Sequence, residues 1–338
     1  FIPAELLIKL TAFLRGGTMY SLILLLVFLL IMIAVGVWGM RKTSTLNDFF
    51  LGGRSIGPWV SAFAYGTTYF SAVVFIGFAG KQGWGFGLNA VLIGIGNALL
   101  GAMLAWLLFA KRTRRMTQNL NTMTMPEFLE ARYNSDHMKM LAALLIFIFL
   151  LPYSASVFKG LGHLFETTFN ISFDFALIIL VAITGIYLVL GGYFAVTVTD
   201  FIQGFIMLAG SIGMVIVITY KAGGLGEAIT TIKTNYEVHV PLAQQPSWIT
   251  IASLIFMTSF GTWGLPQMVQ KFYAIKNEQV IPKAALITTI FALIIGVSAY
   301  FTGAMSHVFF DLSTLPRLAN GSINFDMIVP TLLSQQLP

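Results

Sequence analysis

Residues 61–85, SAFAYGTTYFSAVVFIGFAGKQGWG, are apolar enough to lie in a lipid bilayer, yet Gly66, Thr67, Thr68, Tyr69 and Ser71 cluster in their middle. A polar backbone or side-chain group left unpaired in lipid costs several kcal/mol, so such a cluster needs a reason. Glycine and β-branched threonine both weaken a helix. One reading is local: the hydroxyls bond back to carbonyls of the preceding turn, and Gly66 lets a neighbouring helix approach. The other is that the helix breaks here, freeing backbone oxygens to line a cavity, as in the discontinuous helices of transporters. The polar GKQGWG that follows favours the break.

A second stretch has the same character. In FMTSFGTWGLPQMVQKFYAIK, Gly261, Gly264 and Pro266 fall within six residues. Pro266 removes a backbone donor and clashes with the previous turn. This is either an ordinary proline kink or a second break whose carbonyls, with Thr262, Trp263 and Gln267, face a bound solute. Two interrupted spans in comparable positions of two halves are the best pointer in a sequence to a transporter site. If the helix at 19–40 is an extra one, the breaks fall on core helices one and six of an inverted five-plus-five arrangement.

The acids narrow the chemistry. None of the thirteen Asp and Glu residues lies at the centre of an apolar span. A proton pathway needs Asp, Glu or His within the membrane, whereas sodium can be held by neutral carbonyls and hydroxyls. Asp200 comes nearest, at the start of the sixth span in AVTVTDFIQG, just after a corner at GIYLVLGG. It could attract a cation leaving inward or cap the next helix, and the two are compatible. Asn97, inside the third span, could hydrogen-bond a neighbouring helix or a solute. Pro152 lies mid-span, and Lys159 can snorkel to the outer interface.

Placing these stretches takes the whole chain. Of 338 residues, 57% are hydrophobic and only 9% charged, against about a quarter charged in soluble domains. An all-α, polytopic membrane protein follows. A spanning helix needs about 20 apolar residues, and eight segments qualify: 19–40, 56–80, 87–110, 138–162, 173–192, 199–220, 247–269 and 283–309. The net charge of +6 sits in alternate loops, which reads as membrane orientation and not as nucleic-acid binding. Arg41, Lys42 and Arg54, then Lys111 to Lys139, then Lys271, Lys276 and Lys283 mark the cytoplasmic side. The N-terminus is then external, as are 221–246 and 310–338. TMTMPEFLEARYNSD reads as a short cytoplasmic helix.

The chain lacks cysteine, a nucleotide-binding glycine loop and any histidine pair at metal-ligand spacing. It starts at Phe1, with Met19 its first plausible start, so 1–18 is either a short amphipathic helix or not native. The segment 325–338 reads as an amphipathic lead-in to a further helix. The expected organisation is an extra helix at 19–40, a first repeat at 56–220 and a partial second repeat at 247–338.

DFFLGGRSIGPWVSAFAYGTTYFSAVVFIGFAG, TMPEFLEARY, GGYFAVTVTDFIQG and GTWGLPQMVQKFYAIK, in this order, resemble the sodium/solute symporter family, nearest its sodium/proline symporter-like members. The resemblance covers residue 19 to the end. It implies the inverted-repeat fold of the leucine-transporter type preceded by one extra helix, truncated here in the second repeat. It also implies that carbonyls of Thr67 and Phe70 contribute to a sodium site, with Ser71 in the same break. Asp200 matches an acid that assists sodium on its inward route, and Arg54 an arginine sensitive for coupling or gating. Trp263, Gly264, Leu265, Pro266 and Gln267 match the solute-facing stretch of core helix six; Thr68, Tyr69, Val74 and Asn97 complete the expected solute site. Two positions depart from proline carriers: Tyr69 stands for an aspartate and Val73 for a tryptophan. A tyrosine there could line the pocket, bond a carboxylate or gate it. The remaining sodium ligands of the family lie on core helix eight, expected beyond Pro338.

The function implied is sodium-coupled import of a small organic solute, an amino acid such as proline or a carboxylate, across the plasma membrane. No enzymatic reaction, no cofactor beyond the coupling sodium ion and no nucleic-acid partner is expected; the partners are the solute, Na+ and the bilayer. A solute-sensing domain of a signalling protein and a proton-coupled carrier are the alternatives.

Overall fold

The computed structural model describes residues 17–70, 73–169, 171–318 and 320–337. The expectations for Ser71 and for the extension up to residue 16 lie outside the described residues. Among the described residues the regular structure is helical, with only two isolated β-bridges.

Helix α1 (Gly17–Lys42) ends in Arg41 and Lys42, favourable partners for a helix C-terminus. Its surface is apolar: Leu24 and Leu30 are 70% and 66% exposed. Water would penalise such a face, and lipid does not. Helix α2 (Leu46–Leu51) opens on a capping box, in which Thr45 accepts from the Asp48 amide and the Asp48 carboxylate reaches back to the Thr45 amide.

Both expected breaks are present. Helix α3 (Pro58–Tyr69) starts with Pro58 in its first turn and stops at Phe70, whose φ/ψ of −94/67 leave the helical region. Helical structure resumes in a π-helical stretch at Val73–Phe78 and continues as α4 (Ala79–Phe86). A second long run, α5 (91–119), is α-helical at Val91–Gly96 and Lys111–Asn119 and widens to π geometry at Asn97–Met103 and Trp106–Ala110. Helix α6 (Met125–Tyr133) is the short helix expected from TMPEFLEARY, with a capping box between Thr124 and Glu127. Helix α7 (Asp136–Phe169) runs unbroken through Pro152.

Helix α8 (Phe173–Lys221) contains the expected corner. Gly192 has φ/ψ of 58/−166, a conformation open only to glycine, and a Cβ there would press on Phe49. Helix α9 (Leu225–His239) follows. Helix α10 (Trp248–Phe260) ends at the second break, and α11 (Pro266–Ala274) begins on its far side. Pro266 therefore opens a new helix, where its missing N–H costs nothing; it does not kink an old one. Helices α12 (Ile281–Ala304), α13 (Ser306–Phe309) and α14 (Phe325–Gln336) complete the chain.

Among the described residues, five stretches are long and apolar enough to cross a membrane: Ile23–Lys42, Ala79–Asn119, Asp136–Glu166, Gly191–Lys221 and Glu278–Phe309. Phe173–Ile186 is a shorter apolar helix. The two remaining expected spans are the interrupted ones, which explains why neither counts as one continuous helix.

Helix α12 is the central post, packed against α3, α4, α5 and α8. Contact with α4 and α5 is backbone on backbone. A Cβ on Gly303 would enter the Ala79 carbonyl, and one on Gly94 would meet the Gly296 carbonyl carbon at 2.6 Å. Arg54, Arg114, Arg115 and Lys276 gather at one end of the bundle, called here the basic end. At the opposite end, His239 and His307 stack on Trp84 with their Nδ1 atoms 3.0 Å apart. His307 Nε2 lies 2.9 Å from the Trp84 carbonyl. A carbonyl only accepts, so Nε2 carries the hydrogen, and the His307 Nδ1 accepts from His239.

Gly303→Ala is expected to lower the thermal midpoint in detergent, because a backbone carbonyl cannot yield to the new methyl; the cost should reach or exceed the about 1–3 kcal/mol of ordinary overpacking. Gly213→Ala, with open space at its Cβ, should not lower it. Equal midpoints for the two variants would refute the backbone contact.

Candidate functional site

The ends of α3 and α11 are tied together at the basic end. Ile56 and Ile275 form a parallel β-bridge, with Ile56 N donating to Ala274 O (3.3 Å) and Lys276 N to Ile56 O (2.9 Å). Arg54 adds four hydrogen bonds: to Tyr273 O, to Thr117 O and Oγ1 (each 3.2 Å) and to Thr122 O (2.7 Å). Arg114 donates to Ile275 O (2.7 Å) and Lys276 O (2.6 Å). The last two carbonyls of α11, which no helical amide can reach, are therefore held by Arg54 and the Ile56 amide, and the two carbonyls just beyond the helix by the Arg114 fork. The approach to α3, the end of α5 and the end of α11 form one clamped corner.

One helix length away, the breaks meet. Tyr69, the last residue of α3, donates its hydroxyl to Thr258 O on α10 at 3.0 Å. Its ring lies against Gly101, where any side chain would collide with the hydroxyl. Asn97 Oδ1 accepts from Thr258 Oγ1 (2.7 Å) and Ser259 Oγ (3.2 Å). The second break is well satisfied. The four last carbonyls of α10 accept, in order, from Gly261 N, Tyr69 Oη, Thr262 Oγ1 and Trp263 N. In the first break, Thr67 and Thr68 turn their hydroxyls back onto Phe63 and Ala64 carbonyls at 3.0 and 2.7 Å. Gly66 faces the Phe291 ring. For the side chains, then, the local reading of this cluster is what the structure contains; for the backbone, the break is.

Three cavities lie along this axis. The central one, about 140 Å³, is lined by Tyr69, Val74, Asn97, Leu265 and Tyr300 among others, and no charged side chain lines it among the described residues. A vestibule of about 540 Å³ opens toward the basic end, with Asp200, Gln267, Gln270 and Lys271 in its wall. Toward the opposite end lies a space of about 180 Å³ bordered by Lys81, Lys159 and Asp326. The central cavity shares Thr68 with the vestibule and Phe78 with the opposite space. In the vestibule, Lys271 Nζ pairs with Asp200 Oδ2 at 2.9 Å, the two side chains 5% and 17% exposed. Both side-chain atoms of Gln267 are buried without a hydrogen-bond partner.

A sequence model of the sodium:solute symporter family matches residues 49–338. The chain belongs to the sodium:solute symporter family. It is 34% identical over 266 residues to sodium/proline symporters of Staphylococcus aureus strains bovine RF122 / ET3-1 and JH9, a match covering 78% of this chain and 51% of each relative. The chain thus spans about half the length of those curated relatives. A solved structure of a Na+-coupled sialic acid symporter, in a substrate-bound outward-open state, superposes with a TM-score of 0.75 over 93% of this chain and 66% of that one. At 20% identity that likeness shows the fold, the leucine-transporter type, in a multi-pass membrane protein.

Of the expected solute-site residues, Thr68, Tyr69, Val74, Asn97 and Leu265 line the central cavity. Asn97 bonds the neighbouring helix, one of its two expected roles, while also facing that cavity. Trp263 does not line it: its indole N–H donates to Gly101 O at 3.0 Å and its ring packs on Phe260 and Phe109. Gly264 is exposed, Pro266 starts α11, and Gln267 faces the vestibule. Thr67 and Phe70 end α3. Asp200 is not a helix cap, because α8 has already resumed at Tyr193; its partner is Lys271. Lys271, counted as a loop charge in the sequence, is buried on α11, and no local signal in QKFYAIK separates it from Lys276. Tyr300 and Thr258 have no sequence signal either, since each sits in an otherwise apolar helix.

Removing one member of a buried ion pair strands the other at a cost of about 3–5 kcal/mol. Lys271→Met should therefore lower the thermal midpoint in detergent more than the double variant Lys271→Met/Asp200→Asn does. A double variant no better than the single one would count against the pair.

Proposed function

We propose that this chain forms the core of a sodium-coupled secondary transporter, a non-enzymatic carrier that imports a small organic solute by alternating access. The observation that carries the reading is the row of three cavities divided at Phe78 and Thr68. Both dividers flank the same helix break, so one rearrangement there can open the central cavity to either side. The names of the relatives, sodium/proline and Na+-coupled sialic acid symporters, agree with it.

The cation is assigned to the first break. The last four carbonyls of a helix have no partner within it, and α3 ends at Thr67, Thr68 and Tyr69 with Phe70 as its C-terminal cap. With the threonine hydroxyls committed to the preceding turn, backbone carbonyls are the oxygens on offer at the break, and the family resemblance points to those of Thr67 and Phe70 as the sodium ligands. The partial negative charge of a helix C-terminus favours a cation there. The central cavity has no carboxylate or imidazole in its wall, which disfavours proton coupling. Asp200, paired with Lys271, would assist the cation only after exchanging partners in the vestibule, and Arg54 would act in coupling through the clamped corner. By the positive-inside rule the basic end is cytoplasmic and the N-terminus external, in the plasma membrane. One charge crossing 100 mV contributes about 2.3 kcal/mol, enough to concentrate a solute. No cofactor besides the coupling ion is invoked.

The test is uptake of radiolabelled L-proline and short carboxylates into proteoliposomes holding the full-length protein, under a sodium gradient or a pH gradient alone. Uptake should follow sodium; uptake unchanged without sodium would end this reading. Thr67→Ala, which removes a hydroxyl bonded only within its own helix, should shift the sodium half-saturation by less than about twofold. Thr67→Pro, which disrupts the last turn of α3, should abolish uptake.

A further inference from the structure

The central cavity has a chemical polarity that narrows the solute. Most hydroxyl hydrogens around it are already used by the protein. Thr68 gives its hydrogen to Ala64 O, Tyr69 to Thr258 O and Thr262 to Ser259 O. Those oxygens can still accept, but they have no hydrogen left to give. Asn97 is the reverse: its oxygen accepts from Ser259 and shares the Thr258 hydroxyl hydrogen with Leu254 O, so what it has left are N–H donors.

Tyr300 is the outlier. It is fully buried on α12, it lines the cavity, and its hydroxyl has no hydrogen-bond partner. Its polar neighbour is the Asn97 side chain, whose N–H lies within reach of the phenol oxygen, so it is the Tyr300 hydrogen that lacks an acceptor. A buried hydroxyl left without an acceptor costs about 1–3 kcal/mol, a cost a protein carries when the partner is to arrive from elsewhere. The cavity thus offers spare donors, from Tyr300 and Asn97, and spare acceptors, from Thr68, Tyr69 and Thr262.

Resting on the reading of this cavity as the solute site, we propose that Tyr300 is a substrate-binding residue whose hydroxyl, with the Asn97 amide, holds the carboxylate of an amino-acid-like solute. The acceptor oxygens then take its N–H groups. A polyol fits less well, since each of its hydroxyls needs a donor and an acceptor together. A cavity of about 140 Å³, below the 300–1,000 Å³ usual for drug-sized ligands, sets the size. The solute's negative charge is met by neutral donors in a dry site, where such bonds are strong.

The experiment compares wild type with Tyr300→Phe, which removes only the unpartnered oxygen. Without solute, the variant's thermal midpoint should be unchanged or raised, since an orphan polar atom has gone. In sodium-driven uptake of L-proline and short carboxylates, the half-saturation concentration should rise about ten- to a hundredfold, with the maximal rate retained. The sodium half-saturation at saturating solute should not move. L-Prolinamide, which lacks the carboxylate, should compete poorly with wild type and equally poorly with the variant. Carboxylate uptake with the same half-saturation in both proteins would overturn the role of Tyr300. Sodium-driven uptake of a carboxylate-free solute such as myo-inositol, with none of the carboxylates, would overturn the substrate class and leave sodium coupling standing. Absence of sodium-dependent uptake for every solute would remove the proposed function itself and this inference with it.

Discussion

A helix broken inside a membrane leaves backbone groups where lipid offers no partner. Two such breaks in one bundle are tolerable only if they face the protein, and the rest of this structure meets that constraint. The breaks are brought opposite each other, so that Tyr69 at the end of α3 satisfies a carbonyl at the end of α10. Their far ends are fastened as well. The Ile56–Ile275 bridge and Arg54 take up the terminal carbonyls of α11, and Arg114 those just beyond it. Helix α3 thus runs from the clamped corner at the basic end to the Tyr69 bond at the breaks.

The same constraint explains which parts were legible in the sequence. The breaks were, because Gly66–Thr67–Thr68 and Gly264–Leu265–Pro266 contradict the apolar helices around them. Gly192 was, because a glycine pair between two apolar runs marks a corner. What depends on distant pairs was not. Lys271 reads as one more loop lysine until α8 brings Asp200 beside it. His239 and His307 are scattered residues until α9 and α13 stack them on Trp84. Tyr300 is an ordinary aromatic in a helix with almost no polar face. Trp263, placed next to the second break, looked solute-facing, but its indole N–H needs a partner when buried, and the Gly101 carbonyl supplies one. Side-chain hydroxyls in the first break were legible as types but not in direction: a threonine on a helix has its own preceding turn as the nearest acceptor.

Tyr69 stands at one of the two positions where the resemblance led to another residue being expected, and the structure gives this tyrosine a physical content. A carboxylate there could not donate to the Thr258 carbonyl; a phenol can. The tyrosine uses Gly101 as its seat and joins the two breaks by a neutral bond. That keeps formal charge out of the central cavity and leaves the groups around it to be distinguished by hydrogen-bond direction alone.

The backbone contacts of α12 with α4 and α5 bear on how the chain is made. Gly303 meets Gly83, and Gly296 meets Gly94, across more than two hundred residues of sequence. During synthesis the earlier helices are complete long before α12 exists. Until it arrives, the glycine faces of α4 and α5 form an open groove with exposed carbonyls, and the first break has no Phe291 against it. The first half of the chain therefore waits in the membrane as an unfinished mould, and α12 is the insert that closes it.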